Sequence, residues 1–327
     1  MKTLYIDRQV AHIEYKNSAL KIRSANGESR YLPLRDVSRI IISSSVNLSS
    51  GLLNQCWQRR ISILFLSGRR QNPEARFYGQ FHNDAAIRIG QSFAYIDPQI
   101  TSNIARRIVT AKLRQQARLM DFLQTRRSDG RQGTRAGRKA LYRSLSTLRK
   151  ETTLTLDRIR GLEGAAASGY FKSLIRFFPK SLGFEARKRR PPPDPVNALL
   201  SLGYTLATFE SGRAALLSGL DPAIGYLHAP AYGRDSMALD IVEVLRPSID
   251  QMVYKLFNQR IIEKAHFTYE TDGAVLLGKA GRRHFYMYWE ENEAPHIRRN
   301  ALRLSRILAR YFRDVCVQHS EELNNES

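Results

Sequence analysis

The apolar periodicity of the chain changes near Asp97-Pro98, and that change limits the fold more than any other feature. Before it, apolar residues alternate or form short blocks: Leu4-Tyr5-Ile6, Ile13-Glu14-Tyr15, Leu20-Lys21-Ile22, Ile40-Ile41-Ile42 and Ile61-Ser62-Ile63-Leu64-Phe65-Leu66. A period of two belongs to strands, and short β-branched blocks suit buried ones. Asn26-Gly27, between Leu20–Arg23 and Arg30–Leu34, predicts a two-residue hairpin, because both turn positions want positive φ. Ser49–Arg59 reads differently, with a cap at Ser49 or Ser50 and Leu52, Leu53, Cys56 and Trp57 at helical spacing.

After Asp97-Pro98, Ile104, Ile108, Ala111, Leu113, Ala117 and Met120 recur at roughly helical spacing. Further helices are expected at 138–160, 164–178, 195–218, 236–262 and 296–318. Pro191-Pro192-Pro193 separates two of them, and Pro247 should start, end or kink a helix near Arg246. Val275–Leu277 and Phe285–Tyr288, around Gly278-Lys279-Ala280-Gly281, predict a late hairpin. The fold class is therefore α+β, with a small β domain carrying one short helix over 1–97 and a mostly α-helical domain over 98–327.

Charge narrows the partners. The net charge of +22 exceeds what solubility requires and points to a polyanion, nucleic acid before an anionic membrane. The longest uncharged run, Ile40–Trp57, holds Ser43, Ser44, Ser45, Asn47, Ser49, Ser50, Asn54 and Gln55, too polar for a spanning helix. Charge at Lys2 and Asp7 comes too early for a signal peptide, and two cysteines make neither a disulfide framework nor a zinc site alone. A cytoplasmic protein that does not enter membranes is expected. The basic residues cluster at 126–150, at Arg187-Lys188-Arg189-Arg190 and at Arg282-Arg283, the last beside Phe285, Tyr286, Tyr288 and Trp289. Each cluster alone reads as a solvated face; three on one chain read as nucleic-acid contacts.

No phosphate-loop, His-Glu-x-x-His or Cys-x-x-Cys motif is present. Acids are scarce, so those in apolar surroundings stand out. Glu163 lies among Gly161, Gly164, Ala165, Ala166 and Ala167, where another helix or a phosphate backbone could approach; the plain alternative is a helix-end carboxylate. His228, in Gly225-Tyr226-Leu227-His228-Ala229-Pro230, is either a hydrogen-bonded structural residue or a ligand. Asp240 and Glu243 share a helix face at i,i+3 and repel each other unless a cation or proton lies between them. The competing reading is one exposed acid plus a salt bridge to Arg246. Together, Glu163, His228 and Glu243 give one imidazole and two carboxylates, a set suited to Mn²⁺ or Mg²⁺.

At these residues the chain resembles the CRISPR-associated endonuclease Cas-one family, the spacer-acquisition integrase of CRISPR adaptation. Gly161-Leu162-Glu163-Gly164 through Tyr170-Phe171 is similar to its first acidic motif. Arg189-Arg190-Pro191-Pro192-Pro193-Asp194-Pro195-Val196-Asn197 through Gly203-Tyr204 is similar to its central one. Gly219-Leu220-Asp221-Pro222, Gly225–His228, Leu239–Glu243 and Arg246-Pro247 resemble the third. The resemblance implies an N-terminal β domain joined to a helical catalytic domain, with Mg²⁺ or Mn²⁺ held by Glu163, His228 and Glu243. It places Asp240 as a supporting catalytic acid and Arg246 as a basic neighbour. It also implies double-stranded DNA partners, a fragment whose 3′-hydroxyl attacks a phosphate of the CRISPR repeat. Homodimers bridged by a small second adaptation protein (Cas-two) are expected, paired through the β domain. Arg189, Arg190, Arg246, Arg282 and Arg283 are the expected DNA contacts. The run at 126–150 matches no motif of the family. The alternative function is a non-catalytic basic scaffold for nucleic acid.

Overall fold

Alternating β-branched and apolar residues extend the first part of the chain into two four-stranded sheets. The computed structural model describes residues 2–7, 10–24, 26–188 and 191–325. The chain divides into two units, Met1–His82 and Asn83–Ser327. The strands of the first unit are β1 (Lys2–Ile6), β2 (Val10–Lys16), β3 (Ala19–Ser24), β4 (Ser29–Pro33), β5 (Val37–Ile42), β6 (Asn47–Leu48), β7 (Ser62–Leu66) and β8 (Pro73–Phe77), with helix α1 (Ser50–Gln58) between β6 and β7. One sheet runs β1-β5-β7-β8, parallel except for the last pair. The other runs β4-β3-β2-β6, an antiparallel meander extended by the short parallel β6. All of β5 is buried, which is why Ile40-Ile41-Ile42 reads as a continuous apolar run. Ile6, Ile13, Leu20, Ile40, Leu52, Cys56 and Ile63 form the core of this unit. Ser49 caps α1 as expected, accepting from the Leu52 amide at 3.3 Å.

Two turn details differ from the sequence reading. Asn17 and Ser18, at φ 51° and 60°, form the two-residue hairpin turn between Lys16 and its partner Ala19. The connection at Asn26-Gly27 is longer, since β3 ends at Ser24 and β4 begins at Ser29. There Gly27 takes φ +85° and donates to the Ser24 carbonyl at 3.0 Å.

The second unit holds α2 (Ala85–Ile96), α3 (Pro98–Gln124), α4 (Gly130–Lys150), α5 (Leu156–Leu174), α6 (Pro195–Leu217), α7 (Ser236–Asn258), β9 (Phe267–Tyr269), β10 (Val275–Leu277), α8 (Lys279–Tyr288) and α9 (Ala294–Asn325). Asp97 accepts from the Gln99 and Ile100 amides at 2.7 and 3.0 Å, with Pro98 in the first turn, so Asp97-Pro98 is indeed a helix start. The division between units falls earlier, at His82. Residues 85–96, expected in the β domain, instead form α2, which packs on α3 and α9. Gly90 permits that packing: a Cβ there would lie 1.8 Å from the Phe312 carbonyl oxygen.

The late hairpin is also corrected. β10 pairs antiparallel with β9, not with Phe285–Tyr288. Gly278 begins α8, which buries Phe285 and Tyr286 and runs through a π-helical turn, Trp289–Glu293, into α9. Pro247 lies inside α7, which continues through it. The missing N–H costs only the Glu243 carbonyl its main-chain donor. Finally, α5 begins at Thr155, which accepts from the Arg158 amide at 3.3 Å, so Glu163 sits mid-helix rather than at a helix end. Helix α3 packs against both α5 and α7, which sets the position of the site.

Candidate active site

Helix α7 carries two of the acids, and each has a different task. The Asp240 side chain is fully buried and faces the loop that precedes the helix. Its Oδ2 accepts from the amides of Tyr226 and Leu227 at 2.6 and 3.0 Å. Its Oδ1 accepts from the His228 amide at 2.9 Å and lies 2.8 Å from His228 Nδ1. A carboxylate in that position fixes the orientation of the ring through Nδ1, with Nε2 on the opposite side. Nε2 points toward Glu243, 3.8 Å from Oε1. The loop closes against the start of α7 only because residue 225 is glycine; a Cβ there would lie 2.6 Å from the Ser236 carbonyl carbon.

One turn on, the buried Glu243 faces α3 and α5. Its Oε1 pairs with Arg246 Nη1 at 2.8 Å. Its Oε2 forms a close ion pair with Lys112 Nζ at 2.6 Å. The same ammonium contacts Glu163 Oε1 of α5. Burial pushes the Glu243 carboxyl up, but Arg246, Lys112 and His228 more than offset it and hold the group down at about 2. Two carboxylates from different helices thus share one cation, with an imidazole nitrogen beside one of them.

Among the described residues, no group of three His, Cys, Asp or Glu side chains stands ready to hold a metal ion. The reason is visible: the Lys112 ammonium lies between the two carboxylates, and Arg246 takes one oxygen of Glu243. The donor chemistry nonetheless fits a hard divalent ion, with carboxylate oxygens and one imidazole nitrogen.

Glu163, His228 and Glu243, far apart in sequence, therefore meet. Asp240 does not face the shared cation; it stands behind the imidazole and acts through it. Arg246 is turned inward, onto Glu243 and over the Tyr204 ring at 5.0 Å, rather than displayed as a DNA contact. Arg282 donates to the Leu277 carbonyl at 2.8 Å and so closes the junction of β10 and α8; Arg283 is exposed. Arg189 and Arg190 lie outside the described residues.

Two features were missed in the sequence. Lys112 is buried between Val109, Leu113 and Gln116 on the packed face of α3, and a charge on an apolar stripe was its signal. The second is a buried clasp: Asp250 of α7 accepts from Tyr170 of α5 at 2.6 Å and from Tyr204 of α6. Burial raises the Asp250 carboxyl, and the two phenol hydrogen bonds counter part of that rise.

Fold and site together define an α+β protein whose helical unit sets two glutamates on a single lysine cation, with a histidine beside one of them. The family described as CRISPR associated protein Cas1 matches residues 4–291. A CRISPR-associated endonuclease Cas1 of Thermodesulfovibrio yellowstonii is 33% identical over 295 residues, covering 89% of this chain and 91% of the relative. The chain belongs to the Cas1 family. Among solved structures, a CAS1 protein from Thermotoga maritima shares the fold with a TM-score of 0.80 at 24% identity, covering 97% of each chain. A casposase bound to integration product aligns with a TM-score of 0.79 at 19% identity, over 95% of this chain and 91% of that one.

Proposed function

We propose that this protein is a divalent-metal-dependent DNA integrase and endonuclease of CRISPR adaptation. The observation that carries the reading is the sharing of one cation by Glu163 and Glu243, with His228 Nε2 beside Glu243, inside a chain of net charge +22. Membership of the Cas1 family supports it, as does the shared fold with a casposase captured on an integration product. In this reading Glu163, Glu243 and His228 Nε2 would hold Mg²⁺ or Mn²⁺. When bound, the ion polarises the phosphate under attack and steadies the leaving oxygen.

The chain's own residues supply the rest. Asp240 keeps the imidazole in the tautomer that offers Nε2 outward. Arg246 keeps Glu243 ionised despite its burial, and Lys112 supplies the counter-charge, its flexible stem able to yield the position to an ion. The reaction is transesterification: the 3′-oxygen of a DNA fragment bonds to a phosphorus of the CRISPR repeat, one P–O bond of the repeat breaks, and the departing oxygen is protonated. Water in place of the 3′-hydroxyl gives nicking. The protein works in the cytoplasm as a homodimer paired through the β unit, bridged by the small second adaptation protein.

The test is strand transfer of a short 3′-hydroxyl duplex into a repeat-bearing plasmid with Mn²⁺ or Mg²⁺. Glu163→Gln, His228→Ala and Glu243→Gln should each lower the rate at least ~100-fold, since the ion's contribution is worth several kcal/mol, while DNA affinity is largely kept. Full activity in all three variants rejects the reading.

A further inference from the structure

Gln116 stands one turn beyond Lys112 on α3, within the same buried stripe as Val109, Leu113 and Met120. It is only 2% exposed. Its amide oxygen Oε1 is buried and accepts no hydrogen bond among the described residues. Buried polar groups are paired as a rule, because one without a partner carries the full cost of leaving water. A leucine or methionine would fill the same space on an apolar stripe without that cost. Packing therefore does not account for a glutamine at this position.

Lys112 has what Gln116 lacks, since an ammonium is all donor and no acceptor. Glu163 and Glu243 now engage it. Residues four apart on a helix have their Cβ atoms about 5–6 Å apart, so rotation of the lysine stem brings Nζ to the oxygen of residue 116 with α3 unmoved. The other buried acids of α7 offer no comparable place. Asp240 already accepts from three amides and holds the His228 ring, and Asp250 already accepts from two phenols. A divalent ion between Glu163 and Glu243 would stand at contact distance from the ammonium, and like charges at that range inside a protein repel strongly. Reaching bulk water would pull the lysine stem, 7% exposed, out of its packing. Turning to Gln116 keeps the stem buried and gives the ammonium a charge-assisted hydrogen bond.

We propose that Gln116 is a positioning residue of the metal site: its Oε1 receives the Lys112 ammonium when a divalent cation takes the place of that ammonium between Glu163 and Glu243. The proposal rests on the reading of these two glutamates as ligands of such an ion. It makes loading an exchange of one buried cation for another. Without the ion, lysine neutralises the two carboxylates and the glutamine oxygen is idle; with it, the ion neutralises them and the glutamine keeps the lysine paired. The unpartnered acceptor is then a feature of the metal-free state alone.

The experiment titrates Mn²⁺ into the full chain without DNA, reading free Mn²⁺ by electron paramagnetic resonance, and measures Tm separately in EDTA. Gln116→Met and Gln116→Leu, two shapes without an amide, should each bind Mn²⁺ about tenfold more weakly than the parent, the worth of a hydrogen bond to a charged group. In EDTA their Tm should equal or exceed the parent's, because an unpaired buried amide has been removed. In a Lys112→Met background, Gln116→Met should change Mn²⁺ affinity by less than about twofold, since no ammonium remains to be received. Parental Mn²⁺ affinity in both Gln116 variants overturns the proposal, and so does a loss of equal size with and without Lys112. A Tm in EDTA below the parent's also overturns it, because the amide is then already bonded in the metal-free protein. A parent whose Mn²⁺ affinity is untouched by Glu163→Gln instead removes the underlying reading of the glutamates as ligands, so the two failures are told apart.

Discussion

Replacing Lys112 by methionine tests the centre of the site without touching a proposed ligand. The side chain is 7% exposed and its ammonium contacts both Glu163 and Glu243, the latter 4% exposed. Methionine keeps most of the volume and the apolar stem but deletes the charge. Removing one partner of a buried pair costs about 3–5 kcal/mol, because the other charge is stranded. Glu243 retains Arg246 at 2.8 Å and Glu163 is partly exposed, which places the expected cost near the lower end, about 3 kcal/mol. Urea unfolding at pH 7.5, followed through the buried Trp289 of the second unit, reads it as a lowered midpoint at unchanged slope. Lys112→Met/Glu163→Gln should recover part of the loss, since Glu163 then carries no charge to strand and Glu243 still has Arg246. Mn²⁺ should also stabilise Lys112→Met more than the parent, because the ion no longer competes with an ammonium; an ion at 100 times its Kd contributes about 2.7 kcal/mol. A midpoint equal to the parent's, or additive effects in the double variant, would refute the shared-cation arrangement.

Glu293 supplies a pH test. Burial raises its carboxyl to about 7, and the Ser248 hydroxyl and the Lys255 charge only partly oppose the rise. The folded chain therefore holds this proton more tightly than the unfolded one. The associated stability is complete below about pH 4.5 and lost as pH climbs through 7, about 3 kcal/mol in all. Glu293→Gln should thus unfold later than the parent at pH 8, with the gain vanishing below pH 4.5; a gain independent of pH contradicts this. Asp240→Asn should cost at least ~3 kcal/mol and lower strand transfer, since the amide cannot accept the His228 ring proton and three buried amide bonds at once; denaturant unfolding and a rate assay check it. Gly90→Ala forces α2 from α9 and should cost ~3 kcal/mol or more, visible as a lowered Tm.

Much of the site is legible because acids are rare in this sequence. A glutamate among small residues and an acid pair in an apolar helix could be singled out without coordinates. Spacing alone did not tell Asp240 from Glu243: i,i+3 puts them on one face, yet one turns to the preceding loop and the other to neighbouring helices. That choice belongs to tertiary packing. Lys112 was hidden for the same reason, its nearer partner acid, Glu163, lying 51 residues along the chain. In the fold, local patterns held where one element decided them, as at the Ser49 cap and Asp97-Pro98. They failed where two structures share a signal. Asn17-Ser18 and Asn26-Gly27 both suit left-handed turns, and the strand register assigned the tight one to Asn17-Ser18. Gly278-Lys279-Ala280-Gly281 suits a turn or a helix start, and the packing of Phe285 and Tyr286 selected the helix.

Asp240 has a consequence for how the cluster comes apart. Because one side chain of α7 pins the imidazole and another supplies the acid, these two donors travel as a single piece whenever that helix moves. Glu163 rides on a separate rod. The bite of the three groups is therefore governed by one degree of freedom, the gap between α5 and α7, and Asp250 with its two phenols is the rivet across it.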